Sequence, residues 1–120
     1  MNKVVLDANA LMMPFQFHFN INAELERLLG KCEIIVPSSV ISELHGLSQK
    51  NRKAKAGLKL AEKFNTFSTK KKGDEAVIET AMEFKAMVVT NDIRLLKKLK
   101  ELKIPRIRLR SRNHLVLEQY

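Results

Sequence analysis

The stretch Val4-Val5-Leu6-Asp7-Ala8-Asn9 places an aspartate directly after a run of aliphatic residues. A second stretch, Val88-Val89-Thr90-Asn91-Asp92, repeats the arrangement later in the chain. Short runs rich in β-branched residues predict buried strands, so each aspartate is expected just past the carboxyl end of a strand. In open parallel sheets, ligand sites form outside that edge. The two stretches therefore predict a sheet with an acidic edge that carries the functional site.

Between these stretches, short apolar runs alternate with segments of helical periodicity. The predicted strands are 3–6, 33–36, 87–90 and 106–109, and the predicted helices are 22–29, 38–49, 52–67, 74–86 and 91–103. Ser38 and Ser39 are expected to cap the second of these helices. The alternation predicts one α/β domain over residues 1–120, with a central parallel sheet of about four to five strands and helices on both faces.

Composition excludes several classes of protein. With 120 residues, the chain fits one domain. Cys32 is the only cysteine, which excludes an intramolecular disulfide and a thiolate metal cluster. No apolar stretch approaches the roughly 20 residues of a membrane span, and Asp7 interrupts the apolar run that a signal peptide would need. We expect a reduced, cytoplasmic protein with no membrane association.

Positive charge is concentrated in two segments. The chain has 22 Lys and Arg against 13 Asp and Glu, a formal charge of +9. Residues 50–72 and 97–112 hold most of the basic side chains, and such blocks attract polyanions, of which nucleic acid is the usual one. A solvated, lysine-rich surface is the alternative explanation. The candidate contacts for a nucleic-acid backbone are Lys53, Lys70, Lys71, Lys72, Arg106 and Arg108.

Four acidic residues are placed at element ends or at the border of a buried face: Asp7, Glu43, Asp74 and Asp92. Asp74 and Asp92 stand at or next to predicted helix starts, where a capping role is the simpler explanation. Glu43 lies within a helix, about 40° from Leu47, and borders its apolar stripe. Taken together on a basic chain, the four favour Mg²⁺ or Mn²⁺ chemistry on a phosphodiester, because these ions prefer oxygen ligands.

Four segments in this order resemble the PIN-domain nucleases over nearly the whole chain. They are residues 4–9, Pro37-Ser38-Ser39-Val40-Ile41-Ser42-Glu43-Leu44, Gly73-Asp74-Glu75-Ala76-Val77-Ile78, and residues 88–92. The stretch Met13-Pro14-Phe15-Gln16-Phe17 is similar to the subgroup that holds archaeal VapC-type and ribosomal-RNA-processing PIN nucleases. The chain departs from the family pattern at Arg94, where many members have a further acid, and this places a second metal in question.

The resemblance implies a PIN-like fold and endonucleolytic cleavage of RNA with Mg²⁺ or Mn²⁺. Asp7 and Asp92 would bind the metal most directly, and Glu43 and Asp74 would complete the pocket or position the attacking water. Asn9 and Thr90 would orient the carboxylates by hydrogen bonds. The resemblance also implies a homodimer and either a toxin, held by a small antitoxin protein, or an rRNA-processing enzyme. A non-catalytic RNA-binding module that uses the two basic segments is the alternative function. Whether Glu75 joins the site is left open.

Overall fold

The computed structural model describes residues 1–119, which form six β-strands and six α-helices. The strands are β1 (Asn2–Leu6), β2 (Cys32–Pro37), β3 (Asn65–Phe67), β4 (Met87–Val89), β5 (Arg106–Arg110) and β6 (His114–Glu118). The helices are α1 (Ala8–Phe17), α2 (Ile21–Leu29), α3 (Ser38–Ser48), α4 (Arg52–Ala61), α5 (Gly73–Phe84) and α6 (Ile93–Glu101). The predicted α/β class is confirmed. In the described part of the chain, no helix has the length and apolar character needed to cross a bilayer.

One sheet contains every strand of residues 1–119, in the order β3-β2-β1-β4-β5-β6. The first five strands in this order run parallel, and β6 pairs antiparallel with β5. The apolar strands β1 and β4 lie side by side, with Leu6 opposite Val89. Their carboxyl ends are therefore adjacent, so the residues that follow them, Asp7 and Thr90, meet at one edge of the sheet.

Helix α1 lies outside the predicted elements. Its sequence, ANALMMPFQF, is apolar on most sides and contains Pro14, which lacks the N–H that a helix interior needs. Packing stabilises it instead, since Leu11 and Met13 are fully buried. Asp7 caps its start by accepting a hydrogen bond from the Ala10 N–H at 2.7 Å. The chain thus turns from β1 into α1 directly at the first predicted acid.

The predicted helix over 52–67 is too long. Helix α4 ends at Ala61, and residues 65–67 form β3, which pairs with the end of β2. The apolar period extends to Phe64, and Phe64 does pack against the core, but from the turn after the helix. Strand β3 is only three residues long and is the outermost strand of the sheet, so its sequence shows no clear alternation of apolar and polar residues. Pairing with β2 decides its conformation.

Strand β6 was also absent from the predicted elements, which is why the sheet has more strands than expected among residues 1–119. It follows β5 through a tight turn in which Ser111 and Arg112 have positive φ values of 56° and 68°. Asn-Gly and Asp-Gly are the strongest sequence signals for tight hairpin turns, because those residues tolerate positive φ. Ser-Arg carries no such signal.

The predicted serine caps of α3 are wrong. Pro37 is the N-cap residue of α3, and no side chain caps the helix. Ser38 is the first helical residue, and its hydroxyl accepts a hydrogen bond from the Thr69 N–H at 3.0 Å. The side chain therefore connects α3 to the loop before α5.

Two helical glycines give the first prediction. A Cβ at Gly57 would lie 3.0 Å from the Leu11 carbonyl oxygen, where α4 packs against α1, whereas a Cβ at Gly46 meets nothing within 4 Å. We expect Gly57→Ala to destabilise the fold by about 1–3 kcal/mol through overpacking, and Gly46→Ala to stabilise it by up to about 1 kcal/mol through helix propensity. Urea denaturation measures both. Equal effects of the two substitutions would contradict a close α1–α4 contact.

Candidate active site

Asp7 is the buried centre of the acidic edge. It is only 8% exposed. Its carboxylate accepts hydrogen bonds from the Ala10 N–H and from the Thr90 hydroxyl. Burial raises the pKa of Asp7 to about 7, and repulsion from Asp92 and Glu43 adds to the rise, against the two hydrogen bonds that lower it. A buried carboxylate in this state is stabilised by a proton or by a cation.

The loop that carries Asp92 is fixed by a chain of hydrogen bonds. The Thr90 Oγ1 that donates to Asp7 also accepts from the Asp92 N–H at 3.0 Å. Asn91 accepts from the Leu109 N–H at 2.7 Å, which ties the loop to β5. Asp92 itself caps α6, with Oδ1 accepting from the N–H groups of the second and third helical residues. Thr90 thus sets the relative position of two acids.

Asn9 differs from its expected role of orienting a carboxylate. Its Oδ1 accepts a hydrogen bond from the Asn91 N–H at 2.8 Å, and within residues 1–119 its side chain bonds to no acid. Asn9 therefore holds the loop that carries Asp92. The Asn91 side chain, which sequence reasoning missed, makes the second half of this link. Its place inside the Thr90-Asn91-Asp92 stretch is the only sequence signal for it.

Glu43 and Asp74 come from two helices that pack against each other, α3 and α5. Glu43 lies at the solvent-exposed border of the acidic edge. Its carboxyl group is still partly shielded from water, and this shielding together with the nearby Asp74 raises its pKa. Asp74 lies in the first turn of α5, where the helix dipole favours a carboxylate. The Lys98 ammonium lies 3.3 Å from Asp74 Oδ2. Lys98 belongs to the basic segment 97–112, so its charge alone could not distinguish it from its neighbours.

The four predicted acids line one small cavity, here called the acid cavity: Asp7, Glu43, Asp74 and Asp92. Its volume is about 100 Å³, and Val40 and Val77 form part of its wall. That space is about three waters in size. Glu75 is exposed and does not line it. The cavity therefore has room for a small ion with a few oxygen ligands and is too small for a whole nucleotide.

The family model described as a PIN-like domain matches residues 4–112. The chain belongs to the PIN-like domain family. Two relatives agree with this assignment. The chain is 33% identical over 112 residues to Ribonuclease VapC9 of Archaeoglobus fulgidus, covering 87% of this chain and 82% of that protein. It is 34% identical over 125 aligned residues to Ribonuclease VapC4 of Methanocaldococcus jannaschii, covering 95% of each.

Solved structures give the same fold. The PIN domain endonuclease Utp24 superimposes with a TM-score of 0.84 at 22% identity, covering 98% of this chain and 92% of that one. A domain of a functionally unknown protein from Methanocaldococcus jannaschii superimposes with a TM-score of 0.67 at 15% identity, covering 92% and 93%. At these identities the likeness establishes the PIN fold alone. The predicted resemblance to PIN-domain proteins is confirmed by the family match and the relatives.

The donor set of this PIN domain fits Mg²⁺ or Mn²⁺, because the side-chain oxygens that line the acid cavity are four carboxylates and the Asn9 amide, and because one acid is buried against like charges. Two of these carboxylates already have binding partners within the protein, however. Asp92 is bound by amides of α6 and Asp74 by Lys98. Within residues 1–119, no three His, Cys, Asp or Glu side chains are gathered closely enough to form a metal-binding group. An ion at this edge would therefore compete with the α6 amides and with Lys98.

The predicted basic residues separate into three places in the PIN domain. Residues 70–72 line a second cavity, here called the lysine cavity, of about 440 Å³ between the loop 69–73 and the first turns of α3. Arg106 and Arg108 instead pair with Glu118 across β5 and β6, at 2.8 and 3.2 Å, and do not line that cavity. Lys53 lies in the first turn of α4 and lines neither cavity. An RNA-binding role for Lys53, Arg106 and Arg108 stays a prediction.

Proposed function

We propose that this PIN domain is a divalent-metal-dependent endoribonuclease that hydrolyses RNA phosphodiester bonds. The observation that carries the proposal is that four carboxylates line one small cavity at the carboxyl edge of the parallel sheet. The two ribonuclease relatives support RNA as the substrate. The net charge of +9 suits a polyanionic substrate held around an acidic cavity.

The four acids of the acid cavity have different proposed roles, which follow from their surroundings. When bound, Mg²⁺ or Mn²⁺ would lower the pKa of a water and stabilise the charge that develops on the phosphodiester. Asp7 and Asp92 would hold the ion most directly. Thr90 keeps their relative position, because its hydroxyl bonds to one acid and to the backbone of the other. Glu43 and Asp74 would complete the pocket or hold the attacking water.

The biological setting is part of the proposal. Both relatives carry the VapC name, which supports a toxin whose partner is a small antitoxin protein. A basic side chain of such a partner would fit the acid cavity. An rRNA-processing role is the other setting, and a small antitoxin reading frame adjacent to the gene would decide against it. We also propose a cytoplasmic homodimer, and sedimentation velocity tests its oligomeric state.

Incubation with single-stranded RNA tests the activity. We expect cleavage in Mn²⁺ or Mg²⁺, complete loss in EDTA and recovery when the ion is added back, because the acids alone do not activate water. We also expect Mn²⁺ to raise the melting temperature in the absence of RNA, since a ligand of the folded state stabilises it. RNA binding without cleavage in any divalent ion would contradict the enzyme and favour the non-catalytic RNA-binding module.

A further inference from the structure

The lysine cavity adjoins the acid cavity, and the two share part of their walls. Glu43 and Gly73 line both. The lysine cavity is the larger, about 440 Å³ against about 100 Å³. A volume in this range is typical of cavities that hold a small organic ligand. A substrate that reaches the acid cavity therefore has a larger cavity directly beside it.

The loop 69–73 that forms one wall is held in place. The Thr69 hydroxyl donates to Glu79 Oε1 at 2.5 Å and accepts from the Lys71 N–H at 3.0 Å. On the other side, the Ser38 hydroxyl accepts from the Thr69 N–H. Because the loop is tied to both α3 and α5, its shape is set before a ligand binds, which lowers the entropy cost of binding.

Only one of the three lysines of this loop forms an ion pair within the described residues. Lys71 pairs with Glu79 at 3.8 Å. Lys70 and Lys72 are exposed and have no ion-pair partner among residues 1–119. Glu43 is the one acid in the wall, at the side shared with the acid cavity. The lysine cavity is thus positive away from the acid cavity, and it favours an anion there.

The opposite wall also has polar groups without a partner in the described chain. Ser39 lines the lysine cavity, and its Oγ is buried with no hydrogen-bond partner in the described chain, which is an unfavourable state for a polar group. Helices α3 and α5, both of which begin at this cavity, lack a side-chain cap, whereas Asp7, Asn20, Asn51 and Asp92 cap the other four helices of residues 1–119. Anionic oxygens suit such donors.

We propose that the lysine cavity binds one phosphate of the RNA backbone, the neighbour of the phosphate that is cut in the acid cavity. A phosphate diester presents acceptors only, which matches the two exposed lysines and the uncapped helix starts at this cavity. The acid cavity, in contrast, repels a phosphate that no cation accompanies. The assignment rests on the proposed function in one respect, that the ligand is RNA. It makes Lys70 and Lys72 determinants of where along the strand the cut falls.

The test is an NMR titration of ¹⁵N-labelled protein with a tetranucleotide RNA in EDTA, where no cutting occurs. Each linkage in turn is replaced by a neutral methylphosphonate. We compare the unmodified protein with Lys70→Gln/Lys72→Gln and with a control of equal charge, Lys55→Gln/Lys59→Gln. The two control lysines are exposed on α4 and line neither cavity.

We expect one methylphosphonate position to weaken binding to the unmodified protein and the control about tenfold. The Lys70→Gln/Lys72→Gln protein should bind the unmodified RNA about tenfold more weakly and be indifferent to that position. Amide signals of Ser39 and Gly73 should shift on binding. Equal affinity of the two double variants, or a position effect that persists in Lys70→Gln/Lys72→Gln, would overturn the subsite. Cleavage is measured separately in Mn²⁺. A protein that binds RNA in this way but does not cleave it would contradict the proposed function and leave the phosphate subsite supported.

Discussion

Replacing Asp7 with Asn should abolish RNA cleavage and yet make the metal-free protein more stable above pH 7. In the proposed function Asp7 holds the ion, so its loss would remove about 4 kcal/mol of transition-state stabilisation and slow the reaction about a thousandfold. Asn retains the shape of the side chain and an oxygen that accepts from the Ala10 N–H, while its NH₂ group gives up the bond accepted from the Thr90 hydroxyl and can donate to that oxygen instead. It carries no charge to be desolvated or repelled by Asp92 and Glu43.

The sign of the pH effect follows from the raised pKa. Burial, with the neighbouring carboxylates, raises the pKa of Asp7 from 3.8 to about 7. Below about pH 4 both the folded and the unfolded chain hold this proton, and the carboxyl group does not penalise folding. As the pH rises to about 7, the unfolded chain ionises first, so the free energy of unfolding falls. The full loss is about 4 kcal/mol.

Chemical denaturation in EDTA at pH 5 and pH 8 measures this effect. The unmodified protein should lose stability between the two values, and Asp7→Asn should lose much less. Glu75→Gln is the matched control, because Glu75 is exposed and lies outside the acid cavity. It should keep both the cleavage and the pH dependence of the unmodified protein. Full cleavage by Asp7→Asn would refute Asp7 as a metal ligand.

The position of the acid cavity was predictable from sequence because strand ends and helix starts have local signals. Asp7 and Asp92 follow apolar runs, and the parallel pairing of β1 with β4 brings those runs together. The resemblance to PIN-domain nucleases added Glu43 and Asp74, because residue pattern alone favoured an exposed border position for Glu43 and a helix cap for Asp74. The roles of these residues stay predictions, although their meeting in one cavity agrees with the sequence-based expectation.

The parts that sequence reasoning missed depend on contacts between distant residues. Lys98 reaches Asp74 because α6 packs where it does, and nothing in a lysine-rich helix singles it out. The serines of α3 have the sequence signal of helix caps, but the Ser38 hydroxyl forms hydrogen bonds with the backbone of Thr69, a residue 31 positions away. Likewise, α1 contains Pro14 in its interior, and burial of Leu11 and Met13 stabilises it there. Long-range packing, which local pattern does not encode, decided each of these cases.

Asp92 caps α6 and, in the proposed function, also holds the ion; two substitutions separate the cap from the proposed role. Its Oδ1 caps α6 by accepting from the N–H groups of Arg94 at 2.9 Å and Leu95 at 3.3 Å. Asn caps a helix as well as Asp, whereas Ala removes the cap at a cost of about 1 kcal/mol. We therefore expect both Asp92→Asn and Asp92→Ala to slow cleavage about a thousandfold, and only Asp92→Ala to lower stability.

A cap without an active-site role provides the comparison. Asn51 caps α4 with the same pattern of bonds, to the N–H groups of Lys53 at 2.9 Å and Ala54 at 3.2 Å, and it lies outside the acid cavity. Asn51→Ala should lose about as much stability as Asp92→Ala and keep its cleavage. Melting curves with and without Mn²⁺ complete the test, since Asp92→Asn should lose the stabilisation by Mn²⁺ that Asn51→Ala retains. If Asp92→Asn cuts RNA at the unmodified rate, Asp92 is a helix cap alone, and the ion has to be held by the other three acids.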